Sequence, residues 1–394
     1  GLRTRLFTFL SWLMLLSLHN RNELILQGGD DLLRLTLFWA MFLPWGEAYS
    51  MDQLLYRANS FQEYPPVIRN WATFAYLLQV SYVYTGSALL KGPEWNCDYT
   101  ALYYVYHLDQ IAYPISRYFL PHPTLMSCLT GMAYYFELLI PLLFMVPVRH
   151  GFFRIVAFVL ITGFHLFNGM TIFIGLFFLI GIATITGILP SSFMDAFDYR
   201  TAKLRMFIRK RVLRLALPVC IFNGPKKQRQ IPAPLTMFFV LYVLYWNLSN
   251  FSFFPFKMND HLKFVGYTLR LDQSWGMFAP GVFKDDGWYI YEGETADGRK
   301  INLLHPRRAL TYEKTDNIVS LTKNDRWRKY GEHFILADHS PIRGYLCNYF
   351  FRIWNEKHPD KRISTLRIIY MYEFTKPDYK YFPPEKEVLF ECGD

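Results

Sequence analysis

Cysteine is scarce, with five in 394 residues, and its placement excludes more than its number does. Cys97, Cys128, Cys220, Cys347 and Cys392 form no C-x-x-C pair and show no His/Cys spacing suited to zinc, so no metal is expected. Cys347 and Cys392 could pair if the C-terminal half lies in an oxidising compartment. Acidic residues are missing from Arg200 to Arg229, where ten Lys or Arg gather and equal the whole net charge of +10. A basic stretch between two apolar runs reads as a cytoplasmic loop (residues 196–234) under the positive-inside rule. It does not read as a groove for phosphates, so nucleic acid is not expected as a partner. Also missing are internal repeats, low-complexity tracts and a small-residue cleavage site after the run that follows Arg3 and Arg5. A cleavable signal peptide is therefore not expected, and Gly1 in first place reads as a fragment or a processed chain.

What is present is apolar. The chain is 52% hydrophobic and 19% aromatic, well above ordinary soluble proteins. The hydrophobic residues gather between Leu6 and Phe254, while the last third carries charges of both signs at ordinary density. The expected fold is a polytopic α-helical membrane bundle over residues 1–255, followed by an extracytoplasmic, mostly-β (α+β) domain over 256–394.

The candidate spans are Leu6–Leu18, Leu32–Trp45, Trp71–Leu90, Leu125–Val146, Phe152–Pro190 and Leu235–Phe254. Phe152–Pro190 is about twice the length that ~30 Å of hydrocarbon needs, so it is split near Asn168-Gly169, giving about seven spans. Walking back from a cytoplasmic basic loop puts the segment after Pro255 outside the cytoplasm and Lys91 at the outer end of its helix. Asn96–Pro121, rich in tyrosine with a few charges, is expected to lie along the outer membrane surface. In the C-terminal part, Asp297-Gly298 predicts a hairpin within Gly287–Leu304. A further strand is expected around Ser364–Phe374 and a helix near Tyr345–Trp354.

Ionisable groups at membrane depth are costly and mark candidate sites. Lys91 closes an uncharged run, Glu137 stands alone in Leu125–Val146, and His165 with Asn168 interrupts FHLFNGM. Arg34 follows the acidic pair Asp30-Asp31. Each has a plainer reading: a snorkelling anchor for Lys91, a helix–helix contact for Glu137 and a hydrogen-bonded bundle histidine for His165. For Asp30, Asp31 and Arg34 it is a helix cap with an i,i+4 pair between Asp30 and Arg34. The topology raises a sharper one, because Lys91, His165 and the Asp30–Arg34 cluster all fall toward one leaflet under the C-terminal domain. Burial in such a place disfavours the charged form of a lysine, as a base working near neutral pH requires. An apolar, aromatic bundle suits a lipophilic substrate such as a quinol.

Four stretches carry a resemblance: LHNRNELILQGGDDLLRLTLFWAMFLPWGEAYS (18–50), QVSYVYTGSALLKGPEW (79–95), FHLFNGMTIFIGLF (164–177) and SWGMFAPGVFKDDGWYIYEGETADGR (274–299). They resemble the HTTM family, the transmembrane domain shared with vitamin K-dependent gamma-carboxylase, in its bacterial type. The resemblance implies an integral protein of the bacterial inner membrane that oxygenates and epoxidises a reduced naphthoquinone, a vitamin K hydroquinone or menaquinol. It needs O2 but no metal, and its partners are the bilayer and the lipophilic quinol. It implies Lys91 as the base and His165 as a second catalytic residue, with Asn168, Glu137, Asp30, Arg34 and Trp95 as the candidate quinone pocket. Where the carboxylases have a second functional histidine, this chain has Gly29 before Asp30-Asp31. Quinol oxygenation is thus implied more directly than CO2 addition to a glutamate-containing peptide. The alternatives are a non-catalytic membrane scaffold that binds a partner and a lipid-modifying membrane enzyme.

Overall fold

The structure, a computed structural model, describes residues 1–52, 71–216, 231–336, 338, 340–376 and 382–393. Its helices are α1 (Thr4–Arg21), α2 (Gly28–Ala40), α3 (Trp71–Leu90), α4 (Pro93–Asn96), α5 (Ala101–His107), α6 (Pro123–Met145) and α7 (His150–Thr171). They continue with α8 (Phe177–Thr186), α9 (Ser191–Ala216), α10 (Ala233–Asn250), α11 (Asp260–Leu269), α12 (Asp325–Ile335) and α13 (Pro341–Lys357). Part of the basic stretch, from 217 to 230, lies outside the described residues.

By length and composition, α6 and α7 can each cross a membrane. A third span results if α8 and the first part of α9, which meet at a 95° bend, count as one. Among the described residues that is fewer than the about seven expected. The thirteen residues of α2 reach only about 20 Å at 1.5 Å per residue, short of a hydrocarbon core. Helices α1, α3 and α10 are long enough but carry polar side chains through their length, Gln79 in α3 and Asn247 in α10 among them. The break expected at Asn168-Gly169 comes later: α7 runs on to Thr171, and Ile172–Leu176 form the turn into α8.

One apolar core joins α1, α2, α3, α6, α7, α8 and α10, and it takes in Leu271 and Trp275 from the chain that follows α11. The segment 96–121 is not a helix lying flat on the surface, as expected. Its α5 is buried at Tyr103, Tyr104, Val105 and Tyr106, in one apolar cluster with Met126 of α6 and Val282 of the segment before β1. Leu102 N–H donates to Thr130 Oγ1 of α6 at 3.3 Å, and Gln110 Nε2 donates to Tyr370 Oη at 2.7 Å. Tyr103, Tyr104 and Tyr106 are packing residues, while Tyr118 is exposed.

The C-terminal sheet is antiparallel in the order β2-β1-β3-β4, with β1 Asp285–Thr295, β2 Lys300–Asn302, β3 Ile363–Phe374 and β4 Glu385–Gly393. The predicted hairpin forms at Asp297-Gly298, where Gly298 takes φ 77°, a value that costs glycine nothing. The expected strand and helix appear as β3 and α13. A disulfide links Cys347 of α13 to Cys392 of β4, with a Cα separation of 6.1 Å. Among the described residues three helices accompany the four strands, so this region is α+β in nearly equal parts and not mostly β.

Candidate active site

Helix α3 ends where Gly92 and Pro93 follow Lys91, and the freed Gly92 N–H donates to Pro280 O at 2.6 Å. An anchoring lysine would reach outward here. Lys91 instead turns inward, is 7% exposed, and forms an ion pair with Glu137 of α6, itself 6% exposed. The Lys91 ammonium also lies 4.0 Å from the centre of the Trp95 ring, a cation–π contact. The Trp95 indole in turn donates to Phe278 O at 2.9 Å. A buried pair of this kind adds little net stability, because the desolvation of both charges offsets their attraction.

Tyr84, Ser87 and Lys91 fall on one face of α3, since seven residues make nearly two turns. Tyr84 Oη lies 2.9 Å from His165 Nε2 of α7, so the stripe carrying Lys91 also carries the histidine's partner. Phe164 and Phe177 pack edge-on against the imidazole, with centroids 5.8 and 5.6 Å away. Ser87 Oγ and His165 Nδ1 are buried and have no hydrogen-bond partner among the described residues. Lys91, Glu137, Trp95 and His165 are thus held on the adjoining helices α3, α4, α6 and α7. Asn168 sits one turn beyond His165, half-buried, and its carbonyl accepts from Ile172 N at 2.8 Å.

Asp30 and Arg34 form a separate cluster. Asp30 is the third residue of α2 and folds back to accept from Gln27 N at 2.9 Å in a capping box, so the plainer reading of a cap holds. The expected i,i+4 bond to Arg34 is not made. Fully buried Arg34 pairs with Asp31 at 3.0 Å and donates to Asp272 O at 2.6 Å. Asp30 is bound instead by Arg326 of α12. Of the expected pocket, these two residues clamp the C-terminal region to α2 and do not meet Lys91.

The covering segment is Gly276–Lys284. Glu94 accepts from Val282 N at 3.0 Å and from Lys284 Nζ at 2.6 Å, and Lys284 stands 3.5 Å over the Tyr104 ring. Behind it, buried Gln273 acts as a hub. Its side-chain oxygen accepts from Gln79 Nε2 at 2.8 Å and Trp275 Nε1 at 2.9 Å. Its carbonyl accepts from Trp246 Nε1 at 3.0 Å and Asn250 Nδ2 at 2.9 Å. The sequence reading singled out none of Tyr84, Gln79, Gln273 and Glu94. Tyr84 was detectable by its seven-residue spacing from Lys91, and Gln79 as a lone amide in an apolar run.

A surface depression of about 450 Å³ lined by Pro121 to Leu125 opens at the far end of α6. Twelve residues, or about 18 Å of helix, separate it from Glu137. Among the described residues no group of three or more His, Cys, Asp or Glu could hold a metal ion. Compared with protein-family models, curated proteins and solved structures, the chain matches none.

Proposed function

We propose that this chain is a membrane enzyme of the HTTM type that oxygenates and epoxidises a reduced naphthoquinone, with Lys91 as the base and Glu137 as its proton partner. The observation that carries this reading is the Lys91–Glu137 ion pair, closed off at a helix end where an anchoring lysine would have reached for water. Lys91 begins as an ammonium bonded to Glu137. Transfer of that proton to Glu137 leaves a neutral amine, which takes the proton of a quinol hydroxyl.

The residues suit such a substrate. Trp95 and Phe164 offer aromatic walls, and Ser87 Oγ and His165 Nδ1 are buried polar atoms free to meet its oxygens. The deprotonated quinol supplies the chemistry with O2. Carboxylation of a glutamate-containing peptide would be a further step that uses CO2.

In this reading α1, α2, α3 and α10 lie in the bilayer as packing partners of α6 and α7, with polar side chains turned to one another. Trp39 Nε1 to Gln79 Oε1, at 3.1 Å, and Tyr76 Oη to Thr184 O, at 2.7 Å, are of that kind. The C-terminal region is extracytoplasmic. The Cys347–Cys392 disulfide and the basic stretch before α10 both support that side, and a bacterial inner membrane would suit it.

The test is oxygen uptake by the full chain in lipid nanodiscs supplied with menadiol. Wild type is expected to consume both, and Lys91→Met to lose at least roughly a hundredfold, the usual weight of a general base. Unchanged turnover in Lys91→Met would remove Lys91 as the base. No turnover in wild type would favour the scaffold reading, which the paired charges at Asp30 and Arg34 also suit.

A further inference from the structure

The imidazole of His165 is held at one end. Tyr84 Oη is within hydrogen-bond distance of Nε2. Gly181 of α8 faces the same end, where a Cβ would meet Nε2 and Cε1 well inside contact distance. Rings on either side, Phe164 and Phe177, fix the tilt. Apart from this imidazole, Tyr84 Oη has no acceptor among the described residues, and a buried phenol that does not donate pays for its desolvation. Tyr84 therefore donates and Nε2 accepts, which leaves the ring proton on Nδ1. Nδ1 is buried without a partner among the described residues. A buried N–H that meets no acceptor among the described residues is a donor kept for something else.

We infer that His165 acts as a fixed Nδ1–H donor to an oxygen of the lipophilic quinol, and that Tyr84 and Gly181 are the positioning residues that set its tautomer and place. This rests on the reading given under Proposed function and adds a division of labour to it. Lys91 takes a proton and His165 gives only a hydrogen bond. Neither Tyr84 nor Gly181 needs to touch the substrate. Tyr84 acts through Nε2, and Gly181 acts by having no side chain.

The experiment uses the full chain in nanodiscs, labelled with 15N-histidine. His165 is assigned by difference against His165→Gln, and menadiol is the probe. Wild type should show His165 as the Nδ1–H tautomer, and its Nδ1 resonance should move when menadiol is added. Tyr84→Phe should release the tautomer and lower kcat roughly tenfold, with KM within about twofold, less than the loss of a donor itself. Gly181→Ala should displace the ring and do the same while keeping the Nδ1–H form. An Nε2–H tautomer in wild type, or an Nδ1 signal that ignores menadiol while turnover proceeds, overturns the inference. An Nδ1–H tautomer without menadiol turnover overturns the reading under Proposed function and leaves the tautomer assignment standing.

Discussion

Arg326, at the start of α12, donates both terminal guanidinium nitrogens to the Asp30 carboxylate at the start of α2, joining residues 296 positions apart. The same guanidinium donates to Ile25 O at 2.8 Å. The cap of a bundle helix is thus also the docking point of the C-terminal region. Arg326 is partly exposed, so water discounts the pair. Arg326→Met is expected to cost about 1–2 kcal/mol and to raise amide exchange in α12 and at Asp30 first. Protection unchanged at both ends would show that the clamp contributes nothing.

Gln273 is the second tie between the two regions. Gln273→Leu keeps its carbonyl bonds to Trp246 and Asn250 but strands Gln79 Nε2 and Trp275 Nε1 as buried donors. Each stranded donor costs about 1–3 kcal/mol. The thermal unfolding midpoint in nanodiscs should fall clearly, whereas Gln273→Glu, which keeps an acceptor, should fall less. Equal midpoints for all three proteins would contradict the hub.

Asp286 gives the junction a pH dependence of defined sign. Burial, reinforced by the charge of Asp109, raises its carboxyl well above the ordinary value of 3.8, while Lys314 acts in the opposite direction. Between that value and the raised one, the folded chain holds a proton that the unfolded chain has lost. Stability therefore falls as pH rises from about 4 toward the raised value. Asp286→Asn mimics the protonated form, accepts the bond from Asp109 N and should remove this slope. Denaturant midpoints of the two proteins should agree near pH 4, with the variant more stable at pH 7. A gap that closes as pH rises would reverse the assignment.

Local features were legible before the fold was known. The Asp297-Gly298 hairpin, β3 and α13 depend on turn chemistry and short-range pattern, and they stand where expected. Fewer of the expected spans stand out by length and composition because a run of apolar letters does not distinguish a helix that faces lipid all round from one that turns glutamine and tyrosine to its neighbours. α3, with Gln79 bonded to Trp39 and Gln273, is the clearest case. Lys91 and Glu137 could each be singled out as charges at depth. That they face one another depends on the rotation of α3 against α6, which packing decides. The pairing expected between Asp30 and Arg34 is not made for a related reason: Asp30 turns to Arg326 and Arg34 to Asp272, each more than two hundred residues away.

Lys91→Arg tests the central claim most directly. Arginine keeps the positive charge, the pairing with Glu137 and the contact with Trp95, but it does not give up its proton in proteins. If Lys91 is a base, the variant should fold with an unchanged unfolding midpoint and lose menadiol-dependent oxygen uptake as fully as Lys91→Met. If Lys91→Arg turns over menadiol at the wild-type rate, the lysine is only the cation of a structural pair and the account fails.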